Sequence, residues 1–167
     1  MTNSNIKHLI HELIQIDQFV NYTLEGKGDR VTKPPVGADG YKINAQDPAN
    51  WRSFDEVREV SNQIGFALTD DDPFLFIDLD HVLKKGKLCG WAEKLIAELP
   101  TTYTEISPSG DGLHLYYMLY DTPSIPKHKQ AFPDGTALEI YFSGRYFTIT
   151  GNVFVDSPIT AQDLGDL

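Results

Sequence analysis

The sequence has almost no cysteine, no long hydrophobic run and few basic residues for its acidic content. Cys89 is the only cysteine among 167 residues, which excludes an internal disulfide and any zinc site built from several cysteines. No apolar stretch approaches the length of a membrane span, and the N-terminus lacks the basic and apolar regions of a signal peptide. These absences predict a cytoplasmic protein with no membrane partner.

Acidic residues outnumber basic ones by 24 to 14, which gives a net charge of −10 at neutral pH. An acidic protein repels phosphate backbones unless its basic residues cluster or bound cations offset its acids. The basic residues do cluster, in patches at Lys27–Lys33, Lys84–Lys87 and Lys127–Lys129. The net charge therefore argues against a nucleic-acid function unless such a patch lies beside the functional site.

The rest of the composition is typical of one globular domain, with 41% hydrophobic and 11% aromatic residues. Helical spacing predicts helices near Ile6–Leu13 and Trp91–Leu99, and the capping box Ser53–Glu56 predicts a third from Phe54 to about Asn62. Strand patterns are more numerous and predict an α+β fold. The predicted strands are Phe19–Leu24, Gly65–Thr69, Phe74–Asp80, Leu138–Phe142, Arg145–Thr150 and the two runs that flank Pro108–Gly112, with Gly65–Thr69 and Phe74–Asp80 forming a hairpin.

The strand Phe74–Asp80 is the most distinctive element. Because side chains alternate along a strand, Asp78 and Asp80 share one face with Phe74 and Phe76. Two carboxylates on an apolar face are costly unless a cation or a proton is shared between them, and carboxylate oxygens suit Mg²⁺ or Mn²⁺. The alternative to a metal site is a strand end at which both carboxylates are exposed to solvent. This run of residues alone favours the exposed strand end.

The loop Pro108–Gly112 is followed directly by His114 in an apolar strand. Its glycines and serine would let backbone N–H groups approach an anion, although a plain hairpin turn has the same composition. A single strand histidine is more often a hydrogen-bonded core residue than a catalytic one. Its place beside such a loop makes a role at a phosphate more plausible.

A third strand carboxylate, Glu139, and an arginine at the start of the last strand, Arg145, complete the set of unusual residues. Three carboxylates can hold two divalent metals about 3.5–4 Å apart, as in enzymes that displace groups at phosphorus. A nearby histidine and arginine would carry the remaining phosphate charge. The residues favour phosphoryl or nucleotidyl transfer without deciding it.

Several motifs in one order resemble the Prim-Pol branch of the archaeo-eukaryotic primases, the primase-polymerase domains of phages, plasmids and mobile elements. The resemblance covers the chain from about Phe19 to Gly151. The matching motifs are F-I-D-L-D (76–80), S-P-S-G-D-G-L-H (107–114), E-I-Y (139–141) and G-R-Y-F-T-I-T-G (144–151).

The resemblance implies a fold and a domain boundary. It predicts a modified RNA-recognition-motif-like sheet, antiparallel or mixed, that carries the metal site, with a smaller N-terminal α/β lobe. Residues 1–155 would form the catalytic domain, and residues 156–167 an acidic, linker-like tail that leads to a further domain in a longer chain.

The resemblance also implies the roles of individual residues. Asp78, Asp80 and Glu139 would be the metal ligands, and with His114 they would form the catalytic set. His114, Ser109, Gly110, Arg145 and Lys33 would bind the nucleotide. We therefore expect the three carboxylates to converge on one site, with His114 at its rim.

The implied function is a metal-dependent nucleotidyltransferase, a DNA primase, a DNA polymerase or both, that acts in replication of a phage, plasmid or mobile element. It would use (d)NTP, Mg²⁺ or Mn²⁺, and a single-stranded or primed DNA template, with a helicase domain or partner. Two alternatives stay open. One is a catalytically silent relative that binds nucleotide or DNA, and the other is a metal-dependent phosphodiesterase or nuclease.

Overall fold

Helices are few and short in the computed structural model, which describes residues 3–27, 30–120 and 128–163. Strands dominate these ranges, so the predicted α+β class is confirmed. The helices are α1 (Asn3–Leu9), α2 (His11–Ile14), α3 (Phe54–Val60) and α4 (Gly90–Glu98), with a 3₁₀ turn at Pro48–Asn50.

Most of the strands in the same ranges are short, and only two reach seven residues. They are β1 (Phe19–Tyr22), β2 (Glu25–Lys27), β3 (Arg30–Thr32), β4 (Pro35–Val36), β5 (Ile64–Leu68), β6 (Phe74–Asp80), β7 (Leu83–Lys84), β8 (Lys87–Leu88), β9 (Thr104–Ile106), β10 (Leu113–Leu119), β11 (His128–Ala131), β12 (Ala137–Tyr141), β13 (Arg145–Ile149), β14 (Val153–Val155) and β15 (Ala161–Gln162).

Two sheets form the body of the fold. The larger has seven strands in the order β11-β12-β6-β10-β9-β14, with β15 paired to the end of β10. The smaller has the order β13-β5-β1-β4. Pairing is antiparallel except between β10 and β15. The RNA-recognition-motif-like arrangement and the separate N-terminal lobe stay predictions.

The central strand β6 separates two hydrophobic cores because its side chains alternate between the faces of the large sheet. Phe74 and Phe76 join an aromatic core shared with the small sheet. Leu75, Ile77 and Leu79 join an aliphatic core that packs against α4. Asp78 belongs to the aromatic face by the same alternation. The predicted parity of this strand is therefore confirmed.

The predicted hairpin between Gly65–Thr69 and Phe74–Asp80 is wrong. Both segments are strands, but β5 pairs with β1 and β13 in the small sheet, while β6 pairs with β10 and β12 in the large one. The turn between them carries the chain from one sheet to the other. Asp72 in this turn is buried and accepts hydrogen bonds from Gln18 Nε2 at 2.9 Å and the Thr69 N–H at 2.8 Å.

The capping box predicted for α3 is confirmed, because Ser53 accepts from the Glu56 N–H while the Glu56 side chain accepts from the Ser53 N–H. None of the helices in the described part of the chain is both long and apolar enough to cross a membrane.

The domain boundary after residue 155 and the linker-like tail at residues 156–167 stay predictions, although part of that segment contacts the folded body. Ile159 is buried in the aromatic core and its N–H donates to the Leu9 carbonyl at 2.8 Å. Further on, β15 pairs with β10. The buried Ile159 side chain and the backbone hydrogen bonds of β15 therefore attach this segment to the fold. Residues 164–167 lie outside the described residues.

Phe76 tests the packing between the sheets. It is fully buried and contacts the rings of Phe66, Tyr116 and Phe147. Phe76→Ala should lower the free energy of unfolding by about 3–5 kcal/mol, because it removes a ring from the centre of the core. Urea denaturation measures this loss. The matched control Phe154→Ala, at an exposed ring, should cost no more than about 1 kcal/mol. Equal losses in the two variants would contradict this core.

Candidate active site

Five ionisable residues lie in one row across five strands of the large sheet. Lys129 pairs with Glu139, Glu139 with Asp78, Asp78 with His114, and His114 with Glu105. Directly paired residues on neighbouring strands project from the same face of a sheet. We call these five residues the ionisable row. It lies on the face that carries the aromatic core.

Two cations stand at the Glu139 end of the row. Lys129 Nζ forms a salt bridge with Glu139 Oε1, and Arg145 Nη1 lies 4.0 Å from Glu139 Oε2. Arg145 also stacks over Tyr141, with its Cζ 4.5 Å from the ring centroid. Lys129 belongs to the third basic patch, of which Lys127 lies outside the described residues. The Glu139 carboxylate is thus balanced by protein cations.

His114 is buried rather than at the rim, where the sequence pattern placed it. Its residue exposure is 3%, and its ring packs against Phe147 with centroids 4.5 Å apart. Nδ1 lies 3.1 Å from the Thr148 carbonyl oxygen, and Nε2 lies 3.7 Å from Asp78 Oδ1. The imidazole therefore spans from the small sheet to the central carboxylate.

Asp78 is the carboxylate of the row with the fewest polar partners. Its Oδ1 is shielded from solvent and has no hydrogen-bond partner among the described residues. The pKa of Asp78 is raised to about 6, chiefly by burial; the neighbouring Asp80 and Glu139 add to the rise, while His114 and Lys33 oppose it. A cation or a proton at Oδ1 would offset the electrostatic cost of burying this carboxylate.

A cavity of about 330 Å³ opens between the two sheets in front of Asp78. Asp78, His114, Arg145 and Lys33 all contribute to its lining, together with residues of β13. Four of the predicted site residues therefore meet in one cleft. Glu139 and Asp80 are not among the lining residues. Glu139 pairs with Asp78 in the row, and Asp80, the last residue of β6, pairs with Ala137.

A second cavity of about 560 Å³ adjoins the first, since both are lined by Val31, Thr32 and Lys33. Ser109 and His81 line its other side. The pKa of His81 is raised, chiefly by its hydrogen bond with Asp111, 2.7 Å from Nδ1 to Oδ2. A lysine, a histidine that protonates readily and a hydroxyl together suit an anionic ligand.

The loop that holds Ser109 and Gly110 is bonded within itself. Ser109 Oγ donates to Asp111 Oδ1 at 2.6 Å and lies 2.8 Å from Ser107 Oγ. Gly110 has a φ of +85°, which favours glycine. At Gly112 an added Cβ would lie 2.8 Å from the Leu79 carbonyl oxygen, so the loop packs directly on β6.

Sequence reasoning missed Glu105, which is fully buried at the far end of the row. The signal was present in the hairpin around Pro108–Gly112. Ser107 N–H donates to the Gly112 carbonyl, so the flanking strands pair Ile106 with Leu113 and Glu105 with His114. Counting outward from the loop would have found this pair.

Comparison with known proteins identifies the family of this chain. The family model for Prim-Pol, described as "Bifunctional DNA primase/polymerase, N-terminal", matches residues 20–160. The chain belongs to the Prim-Pol family. The resemblance read from the ordered motifs is thereby confirmed.

A curated relative gives the same assignment. The DNA primase-polymerase of Nitratiruptor phage NrS-1 is 51% identical to this Prim-Pol chain over 136 residues, which cover 77% of this chain. The aligned part is 19% of the relative's own length, so the chain spans about a fifth of that protein.

The donor set of this Prim-Pol domain fits a divalent metal at Asp78 better than at Glu139. The orphaned Asp78 oxygen is the kind of hard donor that Mg²⁺ and Mn²⁺ prefer. Within the described ranges, however, no three His, Cys, Asp or Glu side chains are already grouped to hold a metal. Glu139 contacts Lys129 instead, so it must exchange partners before it can bind a metal.

The raised pKa of Asp78 predicts a pH dependence of stability. The folded protein holds this proton more tightly than the unfolded chain, whose reference value is 3.8. The resulting stabilisation is complete below about pH 4 and is lost as the pH rises through about 6. Asp78→Asn should therefore gain stability relative to wild type, by about 2–3 kcal/mol, between pH 4 and pH 7.5 in metal-free buffer.

Urea denaturation in EDTA across this pH range measures the gain. Asp71→Asn removes an equal charge from an exposed turn position and controls for net charge. A stability difference between wild type and Asp78→Asn that does not change with pH would contradict the burial of this carboxylate.

Proposed function

We propose that this Prim-Pol domain is a metal-dependent nucleotidyltransferase that uses (d)NTP to start or extend a strand on a single-stranded or primed DNA template. It would act as DNA primase, DNA polymerase or both during replication of a phage, plasmid or mobile element. One observation carries the proposal. Asp78, whose Oδ1 has no hydrogen-bond partner among the described residues, lines a cleft together with His114, Lys33 and Arg145, in a chain of this family.

The residues around the cleft divide by charge. The acidic side is Asp78 with Glu139 beside it, and the basic side is Lys33 and Arg145. A triphosphate needs cations at its oxygens and a carboxylate-held metal at the reacting phosphorus. Both kinds of group line one cleft here, which supports nucleotide binding in it.

Asp78, Asp80 and Glu139 would hold Mg²⁺ or Mn²⁺, which when bound supplies the positive charge that lowers the pKa of an attacking 3′-hydroxyl and offsets charge at phosphorus. In this proposal Glu139 is released from Lys129 as the site loads. Lys129 is then free to contact a phosphate.

The nucleotide's phosphates would extend from the first cavity toward the second. Lys33 lines both cavities, and Ser109 and His81 continue the basic and hydroxyl surface beyond it. His114 would present Nε2 to a phosphate oxygen from the floor of the cleft, and the Gly110 backbone would approach the same group. Charge-assisted hydrogen bonds of this kind orient the nucleotide for in-line attack.

The template must bind a protein of net charge −10. Only the basic residues around the cleft offer local attraction, so we expect weak binding of DNA by this domain alone. A helicase domain or partner that supplies further contacts is part of the proposal.

Variants of the carboxylates should lose nucleotidyl transfer, whereas a variant of His114 should lose nucleotide affinity. Asp78→Ala and Asp80→Ala should lower nucleotidyl transfer by roughly 10²–10³-fold or more, because each removes charge stabilisation used in the transition state. His114→Ala should chiefly weaken nucleotide binding and leave metal affinity near that of wild type. Asp71→Ala, at an exposed turn position, is the matched control and should keep full activity.

A primer-extension gel measures transfer, with a labelled primer, an unprimed template lane, and lanes with and without manganese. Calorimetry measures Mn²⁺ affinity of each variant. Metal-dependent lengthening of the primer supports the proposal. A shortened strand would indicate a nuclease, and nucleotide binding without extension would indicate a catalytically silent relative. Loss of metal by His114→Ala as complete as by Asp78→Ala would overturn the division of roles.

A further inference from the structure

Glu105 is a buried carboxylate for which the proposed chemistry has no use, and it is the most thoroughly bonded side chain in the row. Its residue exposure is 0%. Oε1 accepts hydrogen bonds from Tyr116 Oη at 2.7 Å and the Thr150 N–H at 2.8 Å. Oε2 accepts from Tyr103 Oη at 2.7 Å and the Gly151 N–H at 2.9 Å.

Two of these donors come from the small sheet's side of the cleft. Thr150 and Gly151 directly follow β13, whose first residue is Arg145 and whose Thr148 carbonyl contacts His114. Glu105 therefore links its own strand, β9, which pairs with β10 at His114, to the end of β13. The carbonyl that His114 uses is held in place by the same carboxylate.

Three oxygen atoms that can each accept a hydrogen bond lie near His114 Nδ1. The Thr148 carbonyl lies at 3.1 Å, Glu105 Oε1 at 3.5 Å and Tyr116 Oη at 3.4 Å. The Tyr116 hydroxyl hydrogen is directed to Glu105 or to Thr148, so it is not available to Nδ1. Nδ1 must therefore carry a hydrogen, while Nε2 faces Asp78 and the cleft.

We propose that Glu105 is a positioning residue that holds the His114 ring with a hydrogen on Nδ1 and with Nε2 turned toward the cleft, where a second hydrogen, on Nε2, would donate to a phosphate oxygen of the nucleotide. Glu105 itself does not touch the nucleotide. The proposal rests on the proposed function, because it gives His114 a place in the nucleotide site. A carboxylate that orients an imidazole through its other nitrogen is a general way to fix ring and tautomer.

The first test is the proton position itself and needs no activity. Long-range ¹⁵N–¹H correlation spectra separate the Nδ1–H and Nε2–H forms, and a His114→Gln spectrum identifies the resonances among the five histidines. Wild type should show hydrogen on Nδ1. In Glu105→Gln a carboxamide replaces the charge, and His114 should become a mixture of tautomers. A wild-type hydrogen confined to Nε2 would overturn the proposal, including when Glu105→Gln does not fold.

The second test separates positioning from stability. Affinity for a fluorescent dNTP should fall roughly tenfold in Glu105→Gln, and it should not fall further when the same change is made in His114→Ala. Tyr103→Phe also removes a buried hydrogen bond to Glu105, on the oxygen turned away from His114, and is the matched control. It should lose thermal stability but keep both the tautomer and the dNTP affinity.

The outcomes distinguish this proposal from the proposed function. Two results would show that Glu105 only stabilises the fold. One is that Tyr103→Phe lowers the dNTP affinity as much as Glu105→Gln does. The other is that Glu105→Gln lowers the dNTP affinity as much in the His114→Ala protein as in wild type. Nucleotide binding and the expected tautomers in a protein that does not extend primers would support the Glu105 proposal while the transfer activity fails.

Discussion

Charge balance on a poorly solvated sheet face is the constraint on which this site depends. The row places Glu105, Asp78 and Glu139 beside aromatic side chains, where an unpaired carboxylate is costly. Glu105 is balanced by four hydrogen-bond donors, and Glu139 by two cations. Asp78 has only the distant His114 nitrogen at its buried oxygen. The fold therefore leaves one position in the row where a cation from outside the protein would be stabilised most.

The same charge distribution accounts for how an acidic domain could accept a triphosphate. Of the three basic patches in the sequence, the first supplies Lys33 to both cavities and the third supplies Lys129 to Glu139. Arg145 reaches the cleft from the other sheet. The second patch, at Lys84–Lys87, lies in the β7–β8 hairpin and lines neither cavity. Net charge is thus a poor guide here, because the relevant cations are concentrated where two sheets meet.

Local patterns predicted local structure well and long-range pairing poorly. Alternation along β6 and the capping box of α3 involve neighbours in the chain, so both could be read directly. The partner of β5 could not, because its apolar side chains would suit either sheet. Ile159 was overlooked in a polar segment whose docking depends on Leu9, far away in sequence. Glu105 was predictable from its hairpin with His114, whereas the pairing of Glu139 with Asp78 depends on strands about sixty residues apart.

The most direct measurement of the central claim is the position of Mn²⁺ in crystals grown with a non-hydrolysable dNTP, located by its anomalous scattering. The account predicts manganese bonded to the Asp78 oxygen that now lacks a partner, with Glu139 released from Lys129 and the phosphates between Lys33 and Arg145. Manganese bound away from Asp78, or a nucleotide outside the cleft while Glu139 still contacts Lys129, would contradict it.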